Sequence, residues 1–561
     1  MHEEAQALRY PPVSRPASDF GGAVRTPPLP PLPRDAAGGR IDLLCPRPVH
    51  HVLEYAALHG LVEGWKARSP GLRVRLFLRS ALADDATFAA LPADAVERLP
   101  EEGEALAALT ARLRQEPAAR VLLGTAAERD GLATSLPDLQ LLEVAPDEFP
   151  IFGAESPAGA LAAAAFHAAL RAASPRWLSG GSPAALGPAP LILVHPSRSH
   201  VGDTLWLTPL LRAIHRSFPA AEVTVAGAPT LGRVLAGNPH VHRLLPYDPA
   251  GGEGERRRVL DPLAGRRPDA ALLAFGRRPR DRWLAEAMAE RGVPRRVDLE
   301  YFEAASDGAR RSPLFTDQGW CFWGAMASPR FLLHALEPLL EPGRPRDGLD
   351  DLNDLNDLND LNDLEGRRVE VVFGDGARRE AARVLAEGGI GDRPYAVLAP
   401  GGESSQRWPP RHFADLALAL GEDLGLHVLL TGAPGEEPLL EEVQEVAGGI
   451  DRQPVAVSTA PLPVLAALLE RARLLVGNDS APIHVAEAVG APTLYLAHHE
   501  KLVHSHPAGA ACWALYDGSE NRIANVTVAQ VLGAVREMAR QRLVALAAPL
   551  QPMLNCAEPS A

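Results

Sequence analysis

Long apolar runs and cysteines are both scarce in this sequence. No stretch reaches the roughly 18 apolar residues that a membrane-spanning helix needs. The first residues, MHEEAQALRYPP, are acidic and then proline-rich, whereas a secretory signal peptide is basic and then apolar. The four cysteines, Cys45, Cys321, Cys512 and Cys556, are too scattered for a metal knuckle or a disulfide framework. These absences predict a chain without a transmembrane segment that stays in the reducing cytoplasm.

Aromatic residues are also few, at 5% of the chain, and alanine and leucine supply most of its 46% hydrophobic content. The formal net charge is −14, but eight of the acidic residues lie in one low-complexity segment between positions 347 and 365. The remainder is only mildly acidic, so net charge alone says little about partners. We expect no nucleic acid among the partners.

The length of 561 residues favours about three or four folding units. Residues 1–40 are rich in proline, glycine and alanine, a composition that predicts a disordered tail. A weakly patterned α/β region of unknown role follows at 41–180, and residues 546–561 form a second tail.

Two blocks, 189–345 and 370–545, alternate short apolar strands with amphipathic helices. In the first, LILV at 191–194 precedes a helix with leucines at helical spacing. In the second, YAVLAPGG, HVLLTG, RLLVGND and TLYLA are successive strands. Such alternation predicts parallel sheets covered by helices, and we expect two facing Rossmann-like domains with a cleft between them.

Residues 346–369, between the blocks, contain a strict DLN repeat. A period of three matches neither a helix face nor a strand face, so the leucines cannot all reach a core. Aspartate and asparagine at this density could bind calcium, but the pattern is more typical of a low-complexity linker.

The segment VGNDSAPIHVAEAVGAPTLYLA, residues 476–497, has the pattern of strand, polar turn, helix and second strand. Pro482 falls in the first turn of the helix, where its missing N–H does no harm. The turn would place a carboxylate, a hydroxyl and unpaired N–H groups at the positive end of a helix dipole, which suits a diphosphate and its sugar. The alternative is an ordinary capped helix, because Asn, Asp and Ser are common N-caps.

Asp203 lies in HPSRSHVGDTLWLTP, just after the first strand of the first block. This position is at the carboxyl edge of a parallel sheet, where open α/β sheets bind ligands. A carboxylate facing the cleft could remove the proton of an acceptor hydroxyl; the alternative role is a helix N-cap.

Four segments occur in a recognisable order: VGDTLWLTPLLRAIHRSFPAAEVTV, PGGESSQRWPPRHFADLA, LLTGAPGEEPLLEEV and VGNDSAPIHVAEAVGAPT. Together they resemble the glycosyltransferase family 9 enzymes, the ADP-heptose:lipopolysaccharide heptosyltransferases, over about residues 190–540. The resemblance implies a GT-B fold and inverting transfer of a sugar from a nucleoside diphosphate donor, ADP-heptose or a related nucleotide sugar. It implies no cofactor and no catalytic metal.

The resemblance also implies roles for individual residues. Asp203 matches the catalytic base, and Asp479 matches the carboxylate that holds donor sugar hydroxyls. Glu436 or Glu437 matches the acidic residue of a donor-side loop. The other donor-binding positions are Thr431, Gly432, Asn478, Ser480, Ala481, Pro482 and His484. A direct displacement needs such a division, because a base serves the acceptor while preorganised groups surround the departing diphosphate.

The sequence departs from the family pattern at three places. Gln406 stands where the family usually has a lysine, and Arg407 beside it could turn into the site as a substitute cation. Ala481 replaces a glycine. The loop AHHEKLVHSHP replaces an FG-T loop, and we interpret its four histidines as a polar loop, not a metal site.

A cluster of arginines, Arg277, Arg278 and Arg280, follows a strand of the first block. These residues could bind phosphate or carboxylate groups of a charged glycolipid acceptor, with a solvated surface as the alternative. The sequence thus predicts a cytoplasmic glycosyltransferase acting on a saccharide or glycolipid, and leaves peripheral attachment to the inner membrane face open. Gln406 and the histidine loop leave two alternatives: a catalytically weak nucleotide-sugar-binding or interaction protein, and a protein glycosyltransferase.

Overall fold

The computed structural model contains three mainly parallel sheets and the helices that connect their strands. It describes residues 6–9, 32, 39–45, 52–78, 91–100, 103–124, 126–143, 176–179, 186–196, 200–274, 282–301, 312–321, 328–340, 368–404, 407–447, 456–498, 505, 512–516 and 522–544. Among those residues, no helix combines the length and the apolar character required to span a bilayer.

The N-terminal region forms a small parallel sheet of its own. A short strand, β1 (Gln6–Arg9), precedes it and pairs with the C-terminal sheet instead. The strands of the small sheet are β2 (Arg40–Cys45), β3 (Arg73–Leu78), β4 (Ala95–Arg98), β5 (Ala119–Gly124) and β6 (Gln140–Glu143). The strand order across the sheet is β4-β3-β2-β5-β6. The helices of this region are α1 (Val52–Arg68), α2 (Gly103–Gln115) and α3 (Ala126–Ala133).

The second sheet belongs to the block predicted at 189–345, which we call the acceptor-side domain after the role that the resemblance predicts for it. Its strands are β7 (Arg176–Ser179), β8 (Leu191–Pro196), β9 (Glu222–Gly227), β10 (Arg243–Pro246), β11 (Ala270–Ala274), β12 (Arg295–Tyr301) and β13 (Asp317–Cys321). The helices are α4 (Val201–Leu205), α5 (Thr208–Ser217), α6 (Thr230–Val234), α7 (Glu253–Leu260), α8 (Arg282–Glu290) and α9 (Ser328–Leu333), with 3₁₀ turns at Asp261–Leu263 and His334–Leu339. The order is β10-β9-β8-β11-β12-β13-β7, and only β7 is antiparallel.

The third sheet belongs to the block predicted at 370–545, which we call the donor-side domain after the role that the resemblance predicts for it. Its strands are β14 (Tyr395–Ala399), β15 (His427–Thr431), β16 (Ala456–Ser458), β17 (Leu474–Asn478), β18 (Thr493–Leu496) and β19 (Cys512–Tyr516). The helices are α10 (Asp375–Glu387), α11 (Pro410–Leu424), α12 (Glu437–Ala447), α13 (Leu462–Arg471), α14 (Ala481–Val489) and α15 (Val528–Arg540), with a 3₁₀ turn at Ile523–Asn525. The order is β1-β19-β18-β17-β14-β15-β16.

Both large sheets have the same doubly wound topology. Counted within its own domain, each runs 3-2-1-4-5-6, so the chain reverses direction across the sheet between β8 and β11, and again between β14 and β17. Ligands of open α/β sheets bind outside the carboxyl ends of the strands at such a reversal. The prediction of two Rossmann-like domains is confirmed.

Local sequence explains why these elements form. Strands β8, β14, β15 and β17 are buried along their whole length, as expected of continuous apolar runs covered on both faces. Helices α11 and α14 end at Gly425 and Gly490, both in the left-handed conformation that glycine adopts without strain. Helix α15 begins with a capping box between Thr527 and Gln530.

The acceptor-side sheet includes one strand from before the predicted domain start at 189. Strand β7 completes its edge, and the indole of Trp177 lies directly on Gly319, where an added Cβ would be 2.8 Å from the ring. The indole N–H also donates to the Glu337 carboxylate at 2.8 Å. These contacts tie residues 176–179 to this domain and not to the N-terminal sheet.

The two large domains contact each other directly at the start of the donor side. Arg212 of α5 forms an ion pair with Glu370, and the Glu370 N–H donates to the Thr208 hydroxyl at 2.8 Å. Arg368 donates to the carbonyls of Glu487 and Ala488 at 3.2 and 2.8 Å. The predicted DLN linker up to residue 367 lies outside the described residues.

Candidate active site

Asp203 lies beside the carboxyl end of β8, at the reversal point of the acceptor-side sheet. It is in the first turn of α4, which His200 precedes as N-cap residue without a side-chain capping bond. Asp203 is therefore not the N-cap. Its carboxylate is 10% exposed and lies 3.1 Å from Nδ1 of His200, whose side chain is 90% exposed. A carboxylate at this edge of the sheet, with an imidazole beside it, can accept a proton.

Asn478 ends β17 and joins the two strands at the reversal point of the donor side. Its fully buried amide accepts from the Trp408 N–H at 3.0 Å and donates to the carbonyls of Pro400 and Gly401 at 2.9 and 3.2 Å. The Asn478 side chain thus lies between the backbone at residues 400–401 and the backbone at residue 408. It fixes the loop that follows β14.

The turn after β17 supplies a helix N-terminus. Ser480 is the N-cap residue of α14, its hydroxyl donates to the Asn478 carbonyl at 3.3 Å, and Ala481 and Pro482 form the first helical positions. Gly402 packs on this turn with φ +123°, a conformation that favours glycine, and an added Cβ would lie 3.4 Å from Ser480. The helix N-terminus therefore opens beside a glycine loop, a geometry that suits a diphosphate.

Asp479, in the same turn, lies beside the phenol of Tyr495 on β18. Burial raises the pKa of Tyr495 well above its ordinary value, and the Asp479 carboxylate raises it further. A phenol that stays protonated can steady the carboxylate as a hydrogen-bond donor.

Glu436 joins the two donor-side loops. Its carboxylate accepts from the N–H of Gly402 at 3.1 Å and from the N–H of Ala433 at 2.8 Å. An added Cβ at Gly401 would lie 2.2 Å from it, so a side chain there would displace the carboxylate from this place. Thr431 is buried at the end of β15. A Cβ added at the next residue, Gly432, would lie 3.2 Å from the Glu436 carboxylate. Glu437 instead accepts from the Gly435 N–H at 2.7 Å.

Arg407 reaches this junction from the other side. Its Nε donates to the Gly402 carbonyl at 2.7 Å, and Nη2 lies 3.6 Å from the Glu436 carboxylate. The cation is thereby held against the glycine loop that packs on Ser480. Gln406 lies outside the described residues.

His484, in the first part of α14, is where the donor side meets the acceptor side. A Cβ added at Gly202 would lie 3.2 Å from its Cδ2, and the Trp206 indole N–H donates to its Nδ1 at 3.4 Å. The Trp206 and His484 rings pack edge to face with centroids 5.0 Å apart. The Glu487 carboxylate lies 3.6 Å from the same Nδ1. The turn of Asp203 and the helix of His484 are therefore in direct contact.

Two predicted groups fall largely or wholly outside the described part of the chain. Arg277, Arg278 and Arg280 lie there, as do three of the four loop histidines; His498 is described. Within the described residues, no group of three His, Cys, Asp or Glu side chains is placed to hold a metal ion.

Three residues at the site were not found from the sequence: Trp206, Glu487 and Tyr495. Trp206 and Glu487 lie four residues after Gly202 and three after His484, so helical spacing from the motif residues could have indicated them. No local signal marks Tyr495, whose partner is reached only through the pairing of β17 with β18.

Two facing Rossmann-like domains, with a carboxylate turn on one and a helix N-terminus with a glycine loop on the other, define the GT-B class of glycosyltransferase fold. The family model described as Glycosyltransferase family 9 (heptosyltransferase) matches residues 358–512. The match covers 155 of the 561 residues, so this part of the chain is similar to that family.

Relatives agree with the family match. A lipopolysaccharide heptosyltransferase 3 of Escherichia coli is 34% identical over 117 residues, which are 20% of this chain and 34% of that protein. The match thus spans about a third of that relative. The enzyme of the same description from Escherichia coli K12 is 24% identical over 300 residues, 53% of this chain and 79% of that one. A glycosyl transferase family 9 structure from Veillonella parvula is similar at TM-score 0.50 and 20% identity, covering 64% and 99% of the two chains, which supports the fold.

Proposed function

We propose that this chain transfers a sugar from a nucleoside diphosphate to a saccharide acceptor with inversion at the sugar carbon. The observation that carries the proposal is the contact between Gly202 and His484, which brings the Asp203 turn of one domain against the donor-side helix of the other. A single displacement needs this proximity, because the attacking hydroxyl and the departing diphosphate must lie on opposite sides of one carbon.

On the acceptor side, Asp203 would act as the base. It accepts the proton of the acceptor hydroxyl as that oxygen forms the new bond to the sugar carbon. His200, 3.1 Å away, orients the carboxylate and is exposed enough to exchange protons with water.

On the donor side, the diphosphate would leave toward the N-terminus of α14 and Arg407, while Asp479 holds sugar hydroxyls. We assign Arg407 the place of the lysine that Gln406 replaces. Lys66 and Lys501 are the only lysines in a sequence with 56 basic residues, so arginine is the cation that this chain generally uses. A guanidinium binds phosphate through a planar pair of N–H groups, so its reach and geometry differ from those of lysine.

The relatives described as lipopolysaccharide heptosyltransferases favour a heptose donor and a lipopolysaccharide-type glycolipid acceptor. The resemblance of the four motifs favours ADP-heptose, or a related nucleotide sugar, as that donor. Arg277, Arg278 and Arg280 are the residues proposed to meet acceptor phosphate or carboxylate groups. Such an acceptor would bring the protein to the inner face of the membrane.

A donor panel tests the function. The purified chain is given ADP-, GDP- and UDP-sugars with a truncated lipopolysaccharide core, and nucleotide release and glycosylated product are both measured. We expect product and equimolar ADP from ADP-heptose. Nucleotide binding without product on any donor and acceptor would contradict the proposal and favour the alternative, a nucleotide-sugar-binding protein, for which Gln406 is the specific observation.

A further inference from the structure

Trp206 contacts the donor-side domain although it belongs to the acceptor-side domain. It follows α4 directly, and its own N–H bonds back to the Gly202 carbonyl, so Gly202 and Trp206 lie one helical turn apart on one face. That face meets His484 at both points. Asp203 is on the adjoining position of the same helix.

The histidine is enclosed between two groups that compete for one atom. Its Nδ1 lies 3.4 Å from the Trp206 indole nitrogen, a donor, and 3.6 Å from the Glu487 carboxylate, an acceptor. The side chains of His484 and Glu487 are 4% and 2% exposed. Because Nδ1 accepts from the indole N–H, it has no proton for the carboxylate, and the ring is fixed by this one bond and by its burial.

We propose that Trp206 is a positioning residue: by holding His484, it fixes the helix of Asp203 against the N-terminal turn of α14 and so sets the distance between the base and the donor diphosphate. This inference rests on the proposed function. Trp206 touches neither substrate in this scheme and acts through His484 alone.

A purely structural role for Trp206 would affect folding but would not depend on His484. The positioning role predicts that Trp206→Phe, which keeps an aromatic ring but removes the N–H, lowers kcat about tenfold. The dissociation constant for ADP should stay within twofold, because the groups proposed to bind the diphosphate are on the donor side. In a His484→Phe background, which keeps a ring but has no acceptor for the indole N–H, the same change should cause no further loss of kcat, because residues that act through one another are not additive.

The test measures kcat, KM for the donor and ADP affinity for the wild type, both single variants and the double variant. Trp283→Phe is the matched control, since it removes an indole N–H from the core of the same domain, and its kcat should stay within twofold of the wild type. A Trp206→Phe enzyme with unchanged kcat, losses that multiply in the double variant, or an equal loss in the control would each overturn the proposal.

Two further measurements keep the outcome decisive. If Trp206→Phe does not fold, Gly202→Ala tests the same spacing from the acceptor side, because the added Cβ would lie 3.2 Å from Cδ2 of His484. Lower kcat with retained ADP binding supports the proposal, and unchanged kcat overturns it. If the wild type binds ADP but transfers no sugar, the proposed function fails. The contact is then tested by the thermal midpoints of the same four proteins, where non-additive shifts support it and additive shifts overturn it.

Discussion

The donor-side and acceptor-side domains share one strand order but differ in how their site loops are held. On the donor side, the Asn478 amide and the Glu436 carboxylate bind backbone groups of two loops, and Arg407 closes the junction. On the acceptor side, the Asp203 carboxylate lies 3.1 Å from Nδ1 of the exposed His200, and its turn contacts the other domain. The same scaffold therefore fixes its donor-side loops through buried contacts with the backbone, and its Asp203 turn through contact with the other domain.

The largest expected effect is at the acceptor-side base. Asp203→Asn keeps the size of the side chain but cannot accept the acceptor proton, so kcat should fall by about 10²- to 10⁴-fold. ADP binding, measured by calorimetry, should be unchanged. Turnover close to that of the wild type would remove Asp203 from the mechanism.

Among these variants, the loss of the Asn478 amide contacts should lower the free energy of unfolding most. Asn478→Ala leaves the Trp408 N–H and two carbonyls without their amide partners in a buried place, at about 1–3 kcal/mol for each unsatisfied group. We expect a lower free energy of unfolding in urea and weaker ADP binding. Asn478→Asp should cost at least as much, because it buries a carboxylate against the carbonyl oxygens of Pro400 and Gly401. An Asn478→Ala protein with the stability of the wild type would show that these amide contacts are not needed for folding.

The cation of the donor side should affect affinity more moderately. Arg407→Gln should weaken ADP binding about tenfold, which is ~1.4 kcal/mol, and should flatten its dependence on salt concentration. Arg411→Gln on the nearby α11 is the control, because its side chain is 82% exposed and faces Asp415. Equal losses in both variants would mean that the general charge of this surface, not Arg407, attracts the nucleotide.

The smallest effect expected is a pH dependence of stability from histidines in each domain. Burial lowers the pKa of His240 on the acceptor side and of His427 on the donor side below the ordinary 6.5. The unfolded chain therefore binds protons first, and the free energy of unfolding should decrease as pH falls below about 6.5.

His427→Gln and His240→Gln should each make this decrease shallower between pH 7 and pH 5.5, as followed by urea unfolding. An unchanged slope in both variants would assign the acid sensitivity to other groups.

The repeated strand and helix pattern predicted both Rossmann-like domains, because buried parallel strands have continuous apolar sequences. The same pattern predicted where Asp203 and Asp479 lie, because each follows a buried parallel strand and so lies at the carboxyl edge of its own sheet. Sequence spacing could not show that the Asn478 amide binds backbone 70 to 78 residues away, or that Trp206 meets a residue 278 positions later. Those contacts depend on strand order and domain contact, which local patterns do not specify.

The strand β7 has a practical consequence for shortened forms of this protein. A chain that begins at residue 189 would lack Trp177, leaving an open slot over Gly319 and an unpaired edge on β13. An exposed edge strand invites pairing with other molecules and aggregation. Versions trimmed for expression or crystallisation should therefore begin before Arg176, and poor solubility of shorter ones would reflect this edge and not a loss of the catalytic fold.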